Sequence, residues 1–352
     1  MAKPKGELLF GRCEEVLSKF PDDYFSCCVT DPPYGLSSSP DMHEVLRAWN
    51  RGENYKGDAG FMGREWDSFV PGPNVWKPIM RTLQPGGHVL SFSGTRTYDL
   101  MVAAMDIAAA ENDSKLSGYH SWVYGSGFPK SLNIGKAVDK NLGVERQDVG
   151  KGFNAAGIGE SNGGSKFRSD HPDYVKPVNV TDLAKLWEGY GTALKPAHEP
   201  IAEYLKGEGE PLNTEAIFHY ITKPGGTERN KGCKGLYWRN NTEKLTKAEY
   251  EALTTENEER DGEDGYTPHL LSTGNVWPTV KPIELMRRLI RLTKKPGQKN
   301  VILEPFMGSG TTIIAAILEG CDYVGIDADE TAFEISKARV RYFQCLGELG
   351  LK

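Results

Sequence analysis

The chain has 352 residues, enough for one large α/β domain and a smaller module with a well-buried core. Its 42 basic and 48 acidic residues leave a formal net charge of −6, so a global positive field that would attract a polyanion is absent. No apolar run approaches the roughly 20 residues that a bilayer span needs. Residues 1–6 lack the apolar stretch of a signal peptide, and the six cysteines form no C-x-x-C pair. These features predict reduced, mostly buried thiols in a cytoplasm-like compartment, with no metal site and no membrane partner.

Residues 7–10 predict a short strand ending at Gly11, residues 12–20 a helix, and residues 26–30 a second strand. That strand runs into Asp31-Pro32-Pro33-Tyr34, where two prolines cannot continue a ladder. The break leaves a carboxylate, a carbonyl without a ladder partner and an aromatic ring at the mouth of a sheet, the edge where open α/β folds bind ligands. Residues 36–73 read as a long polar, glycine-rich loop carrying Phe61, Trp66 and Phe69, and such a loop beside a chemical motif is commonly functional. A helix over 74–83 stops at the turn Gln84-Pro85-Gly86-Gly87; a strand over 88–92, a helix over 97–110 and a strand over 120–124 follow. This alternation predicts an α/β fold with a mostly parallel sheet covered on both faces.

The character changes near Gly125. Residues 129–270 read as a separate, less regular module, with partial disorder as the alternative. Within it, Lys223, Arg229, Lys231, Lys234 and Arg239, interleaved with Tyr237 and Trp238, form either a phosphate grip or a solvated surface. The acidic run over 256–264 reads as a solvated loop. Regular structure returns with a helix opened by Pro282, whose buried face is expected to carry Ile283, Met286, Leu289, Ile290 and Leu292. Strands over 301–303 and 323–326 and helices over 311–318 and 331–345 complete the pattern.

Glu304-Pro305-Phe306-Met307-Gly308-Ser309-Gly310-Thr311-Thr312 lies between a predicted strand and a predicted helix. Glycines let the backbone approach a ligand, and the helix start offers unpaired N–H groups. Asp327 ends the next strand, 17 residues after Gly310, where an acid can hold both hydroxyls of a ribose. Ile313 replaces the third glycine of a nicotinamide dinucleotide fingerprint, and the Gly-Lys-Ser/Thr of a Walker loop is missing. Glu304 either binds a cofactor group or caps the turn.

Together, Asp31-Pro32-Pro33-Tyr34 and Phe306-x-Gly308-x-Gly310 resemble the motifs of DNA amino-methyltransferases, and their order resembles the β class of that family. Asn275 to Pro282 resembles its Pro-Thr-x-Lys-Pro segment. Gly125 to Ser131 and Leu194 to Pro200 resemble segments of phage- and plasmid-type members. The resemblance covers about residues 7–130 and 190–345. It implies a Rossmann-like, circularly permuted S-adenosylmethionine-dependent methyltransferase sheet, with residues 1–128 and 271–352 catalytic and 129–270 an inserted target-recognition region. It also implies double-stranded DNA as partner, a homodimer, a bacterial or phage-infected host cell, and a restriction-modification setting. Asp31, Pro32, Pro33 and Tyr34 would be catalytic. Phe306, Gly308, Gly310, Thr311, Asp327, Thr279, Lys281 and Glu304 would hold S-adenosylmethionine, with Thr279 and Lys281 beside its methionine part.

Two positions depart from the family. Arg12 stands in a Gly11-Arg12-Cys13 turn where the family has an acid for the cofactor's adenine, and arginine cannot accept a hydrogen bond. Trp277 stands where the family often has histidine. The aspartate form of the tetrapeptide resembles adenine-N6 enzymes more than cytosine-N4 enzymes. The first expectation is therefore methylation of a flipped-out adenine. N4-cytosine methylation is the alternative, and a non-catalytic DNA-binding protein with a degenerate methylase core, suggested by Arg12, is the more distant one.

Overall fold

The β-favouring run Phe25–Thr30 is buried at every residue and forms the strand around which the rest is arranged. The computed structural model describes residues 4–35, 41–57, 68–125, 132–144, 180–192, 198–209, 212, 217–260 and 267–348. In chain order these give β1 (Gly6–Phe10), α1 (Cys13–Leu17), β2 (Phe25–Thr30), α2 (Met42–Asn50), α3 (Pro73–Arg81), β3 (Leu83–Phe92), α4 (Tyr98–Ala110) and β4 (Ser114–Val123). Then come β5 (Leu132–Asn133), α5 (Ile134–Asn141), α6 (Asp182–Leu186), β6 (Gly191–Thr192), β7 (His198–Lys206), β8 (Ile217–Tyr220), α7 (Gly226–Asn230), β9 (Tyr237–Arg239) and β10 (Glu243–Leu245). The last are α8 (Lys247–Glu259), β11 (Leu271–Thr273), α9 (Ile283–Thr293), β12 (Val301–Glu304), α10 (Thr311–Leu318), β13 (Asp322–Asp327) and α11 (Glu330–Glu348).

Eight strands make one sheet in the order β1-β13-β12-β2-β3-β7-β4-β8. The pairings from β1 to β3 are parallel; β7 runs antiparallel to both β3 and β4, and β8 is parallel to β4. This is the Rossmann-like, mostly parallel α/β architecture expected. Successive residues of β2 serve opposite faces: Cys28 joins a core with Trp76 and Ile79 of α3 and Met101 and Met105 of α4, and Cys27 one with Leu289 and Ile290 of α9 and Ile313 of α10. Each fully buried large side chain contributes about 1.5–3 kcal/mol of transfer free energy, so both helical layers are held mainly by such contacts. The six cysteines are free, and only Cys345 is exposed. Among the described residues, no helix is long and apolar enough to cross a membrane.

The chain divides into two units, Met1–Gly125 with His198–Lys352, and Ser126–Ala197. The expected 129–270 module is therefore not one unit. Strands β7 and β8 belong to the large sheet, and α7 to β11 lie in the same unit as it. Strand β7 escaped notice because its centre carries Glu203, an acid in a completely buried position. Glu203 is satisfied there by Ser117 Oγ at 2.9 Å, His120 Nε2 at 2.9 Å and the Leu212 N–H at 3.0 Å. Burial raises the Glu203 pKa, but the histidine and other donors more than compensate and hold it far below the usual range. In the smaller unit, Asn133 pairs with Gly191 in an antiparallel β5–β6 ladder, and buried Asp139 accepts from the Val180 and Thr181 N–H groups.

Four local expectations change. The loop over 36–73 contains α2, whose start is capped by Asp41 accepting from the His43 N–H at 2.8 Å; Phe61 and Trp66 lie outside the described residues, and Phe69 packs on Tyr55 and Trp49. Gln84 to Gly87 is not a turn before β3 but an irregularity within it, with Gly86 at φ +70° and a register shift against β2. On α9 the buried face carries Leu285, whereas Leu292 is exposed. Of the acidic run, residues 256–259 lie in α8 and 261–264 lie outside the described residues.

Candidate active site

Parallel pairing sets three strand ends side by side. Ile302 and Leu303 of β12 pair with Cys27 and Cys28 of β2, and Leu303 and Glu304 pair with Val324 and Gly325 of β13. The carboxylates that follow or end these strands, Asp31, Glu304 and Asp327, thus emerge on one sheet edge and line one cavity of about 1070 Å³. Pro32, Pro33, Tyr34, Thr279, Lys281, Phe306, Gly308 and Thr311 line it too. The tetrapeptide and the glycine turn, more than 270 residues apart, share this cavity.

The turn is built for close approach. Gly308 (φ +52°) and Gly310 (φ +78°) adopt left-handed conformations that other residues resist. A Cβ on Gly308 would meet the Trp277 indole nitrogen at 3.0 Å, so Trp277 packs directly on the turn. Asp327 accepts from the Gly308 N–H through Oδ2 at 2.7 Å and from the Asp329 N–H through Oδ1 at 2.8 Å. Burial pushes its pKa up to about 7 against these backbone donors. From α11, fully buried Arg339 donates to the Ser309 carbonyl at 2.7 Å and to Thr311 Oγ1 at 3.2 Å, holding the turn from behind.

Glu304 lines the cavity and also caps the turn. Its Oε1 accepts from Thr30 Oγ1 at 2.5 Å and the Phe306 N–H at 3.1 Å, and its Oε2 from Thr312 Oγ1 at 2.5 Å. It ties β2 to the start of α10, with burial raising its pKa to about 8.

Lys281 lies in the polar centre. Its Nζ is 2.5 Å from Asp31 Oδ2 and 3.3 Å from Glu199 Oε2, and all three side chains are less than one-fifth exposed. The Tyr34 hydroxyl donates to Glu199 Oε2 at 2.9 Å, and the Tyr34 carbonyl accepts from Thr97 Oγ1 at 2.6 Å. Burial raises the Asp31 pKa, with Lys281 opposing it. Burial lowers that of Lys281, but the Asp31 and Glu199 carboxylates outweigh it and keep the ammonium charged. Glu199 is the residue that the sequence reading missed. It sits in the Leu194 to Pro200 segment, of which only residues from His198 onward are described, and nothing in its spacing pointed to Asp31. The Ser126 to Ser131 part of the other segment also lies outside the described residues.

The basic stretch is partly spent inside the fold. Arg229 donates to the Trp277 carbonyl at 2.7 Å, and Arg239 pairs with Glu243 through two bonds of 2.6 Å. Lys223 Nζ lies 4.1 Å from the Tyr124 ring centroid, and Lys231 Nζ lies 5.9 Å from that of Phe343. Arg12 faces the cavity and pairs with Glu14.

The chain is 33% identical over 95 residues to the type II methyltransferase M2.LlaDCHI of Lactococcus lactis subsp. cremoris, and 34% identical over 95 residues to M2.DpnII of Streptococcus pneumoniae. Each match covers 26% of this chain and 35% of the relative, so the chain spans about a third of the length of these curated relatives. Among solved structures, M1.HpyAVI in complex with SAM aligns with a TM-score of 0.46 and 14% identity, covering 95% of this chain and 98% of that one. The cytosine-N4-specific PvuII DNA methyltransferase aligns with a TM-score of 0.47 and 13% identity, covering 98% and 94%. A family model described as DNA methylase matches residues 25–338. With the match running over most of its length, the chain belongs to this DNA methylase family, whose methyl donor is S-adenosylmethionine.

Proposed function

We propose that the protein moves a methyl group from S-adenosylmethionine to the N6 amine of an adenine flipped out of double-stranded DNA. The observation that carries this reading is the shared cavity, lined by both Asp31-Pro32-Pro33-Tyr34 and residues Phe306 to Ser309 of the turn, with Gly310 behind the lining. The cavity suits a nucleoside-sized ligand, and the positive-φ glycines let a ligand lie against bare backbone. Asp327 would hold the ribose hydroxyls, Phe306, Gly308, Gly310 and Thr311 would cradle the nucleoside, and Thr279 and Lys281 would stand near the methionine part. Glu304 acts through the turn it caps.

When bound, the cofactor supplies a sulfonium methyl, already a strong electrophile. The protein's work is then alignment and charge stabilisation. An exocyclic base amine is a weak nucleophile because its lone pair is delocalised into the ring. Asp31 accepts one of its N–H groups and the Pro32 carbonyl the other, which favours a pyramidal nitrogen. Positive charge developing on that nitrogen is stabilised by the Asp31 carboxylate. Tyr34 stacks on the base, which must leave the duplex to be reached. Lys223, Lys231 and Lys234 contact phosphates, and residues 126–197 contribute to target recognition.

The test supplies labelled cofactor and DNA from a methylation-free host, then identifies the modified nucleoside. N6-methyladenosine supports the proposal. N4-methylcytosine moves the chemistry to the other amine, which presents the same donor geometry. No label in DNA, with no cofactor binding by calorimetry, leaves the degenerate-core alternative standing.

A further inference from the structure

In the proposed reaction Asp31 accepts an N–H, yet the structure shows one of its oxygens already engaged. The Lys281 ammonium donates to Asp31 Oδ2 at 2.5 Å. A charged ammonium is a stronger donor than a neutral aromatic amine. An incoming base must therefore share the Asp31 carboxylate with the ammonium or displace it from Oδ2. The same Nζ lies 3.3 Å from Glu199 Oε2, so a second carboxylate is already within reach.

We infer that Lys281 and the target amine compete for Asp31, and that Glu199 is the carboxylate to which the ammonium withdraws when the base enters. This inference rests on the base-methylation reading above. The surroundings suit such a transfer. The Nζ lies 5.2 Å from the Tyr34 ring centroid, 5.0 Å from that of Phe92 and 5.9 Å from that of Trp122. Aromatic faces stabilise a cation without binding it to one point, so a short shift between the carboxylates keeps the charge solvated by rings. Glu199 is itself held by the Tyr34 hydroxyl, so the residue that stacks on the base also positions the receiving carboxylate. A second cation, Lys223, is attracted by Glu199 and repelled by Lys281. Glu199 is thus a positioning residue that acts through Lys281.

A double-mutant cycle separates this role from simple packing. Methyl transfer to DNA from a methylation-free host is measured with DNA concentration varied, for wild type, Glu199→Gln, Lys281→Met and the double variant. Thermal midpoints establish that each is folded. Glu199→Gln is expected to lower kcat/KM for DNA by about tenfold while cofactor affinity holds, because the ammonium then has no second carboxylate. In the Lys281→Met background the same substitution is expected to cost less than about threefold. Equal losses in both backgrounds overturn the inference. Lys281→Arg gives an independent reading: its fork clamps both carboxylates, so kcat/KM falls although the charge is kept, and wild-type efficiency in that variant also overturns it. If wild type puts no methyl on DNA, the functional reading fails and takes this inference with it; if it does and the cycle is additive, only the inference fails.

Discussion

Three carboxylates at one sheet edge have three different tasks, and their surroundings separate them. On the proposed reading Asp31 faces the reacting nitrogen, so Asp31→Ala is expected to lower turnover by about 100-fold or more while cofactor affinity, read by calorimetry, changes little. Asp327 has a pKa raised by burial to about 7, and the ionised form is the better acceptor for ribose hydroxyls. Cofactor affinity should therefore rise by up to about tenfold between pH 6 and pH 8, and Asp327→Asn should bind more weakly with a flat pH profile. Glu304 has a folded pKa raised by burial to about 8 from the ordinary glutamate value of about 4.5. Its contribution to stability is full below about pH 4.5 and is lost as pH rises through about 8. Thermal midpoints at pH 6 and pH 9 should differ less for Glu304→Gln than for wild type. Asp31 and Asp327 were legible in the sequence because each follows or ends a strand beside a recognisable motif. Glu199 was not, since its partners Tyr34 and Lys281 are distant in the chain and no periodicity links them.

Among the elements, the turn between β12 and α10 is the most demanding. Gly310 is the N-cap of α10 in a left-handed conformation, and a Cβ there would meet Ser336 Cβ at 3.1 Å. Gly310→Ala should cost about 1–3 kcal/mol in urea unfolding and weaken cofactor binding, because both the φ value and the packing against α11 oppose it. The turn was readable because glycine spacing reports backbone conformation directly. The irregular start of β3 was misread as a turn: Pro85 and Gly86 signal a chain break, and only pairing with β2 keeps these residues in the strand. Strand β7 stayed hidden because Glu203 breaks the apolar pattern, and the histidine that satisfies it, His120, comes from β4. On α9, the choice of Leu285 over Leu292 as a buried residue depends on where the sheet lies beneath the helix.

For the molecule as a whole, the separate unit Ser126–Ala197 interrupts what is otherwise an antiparallel strand pair. Val123 of β4 lies opposite His198 of β7, so the ends that flank the insertion are neighbours in the sheet. Replacing 126–197 with a short Asn-Gly turn should leave one cooperative unfolding transition and cofactor binding, while sequence-selective methylation is lost. Loss of cofactor binding in that variant would show that the larger unit needs the insertion to fold. The sequence alone determined the chemistry on offer: the broken strand end with its carboxylate, the glycine turn, the acid that ends the next strand, and the order of these motifs. Each depends on local backbone preferences, which short stretches of sequence record. Tertiary structure alone decided which of these groups meet. Parallel pairing of β2, β12 and β13 set residues 31, 304 and 327 along one edge, and packing around Lys281 joined Asp31 to Glu199. Contacts between segments far apart in the chain arise from burial and strand register, which no single stretch of sequence encodes.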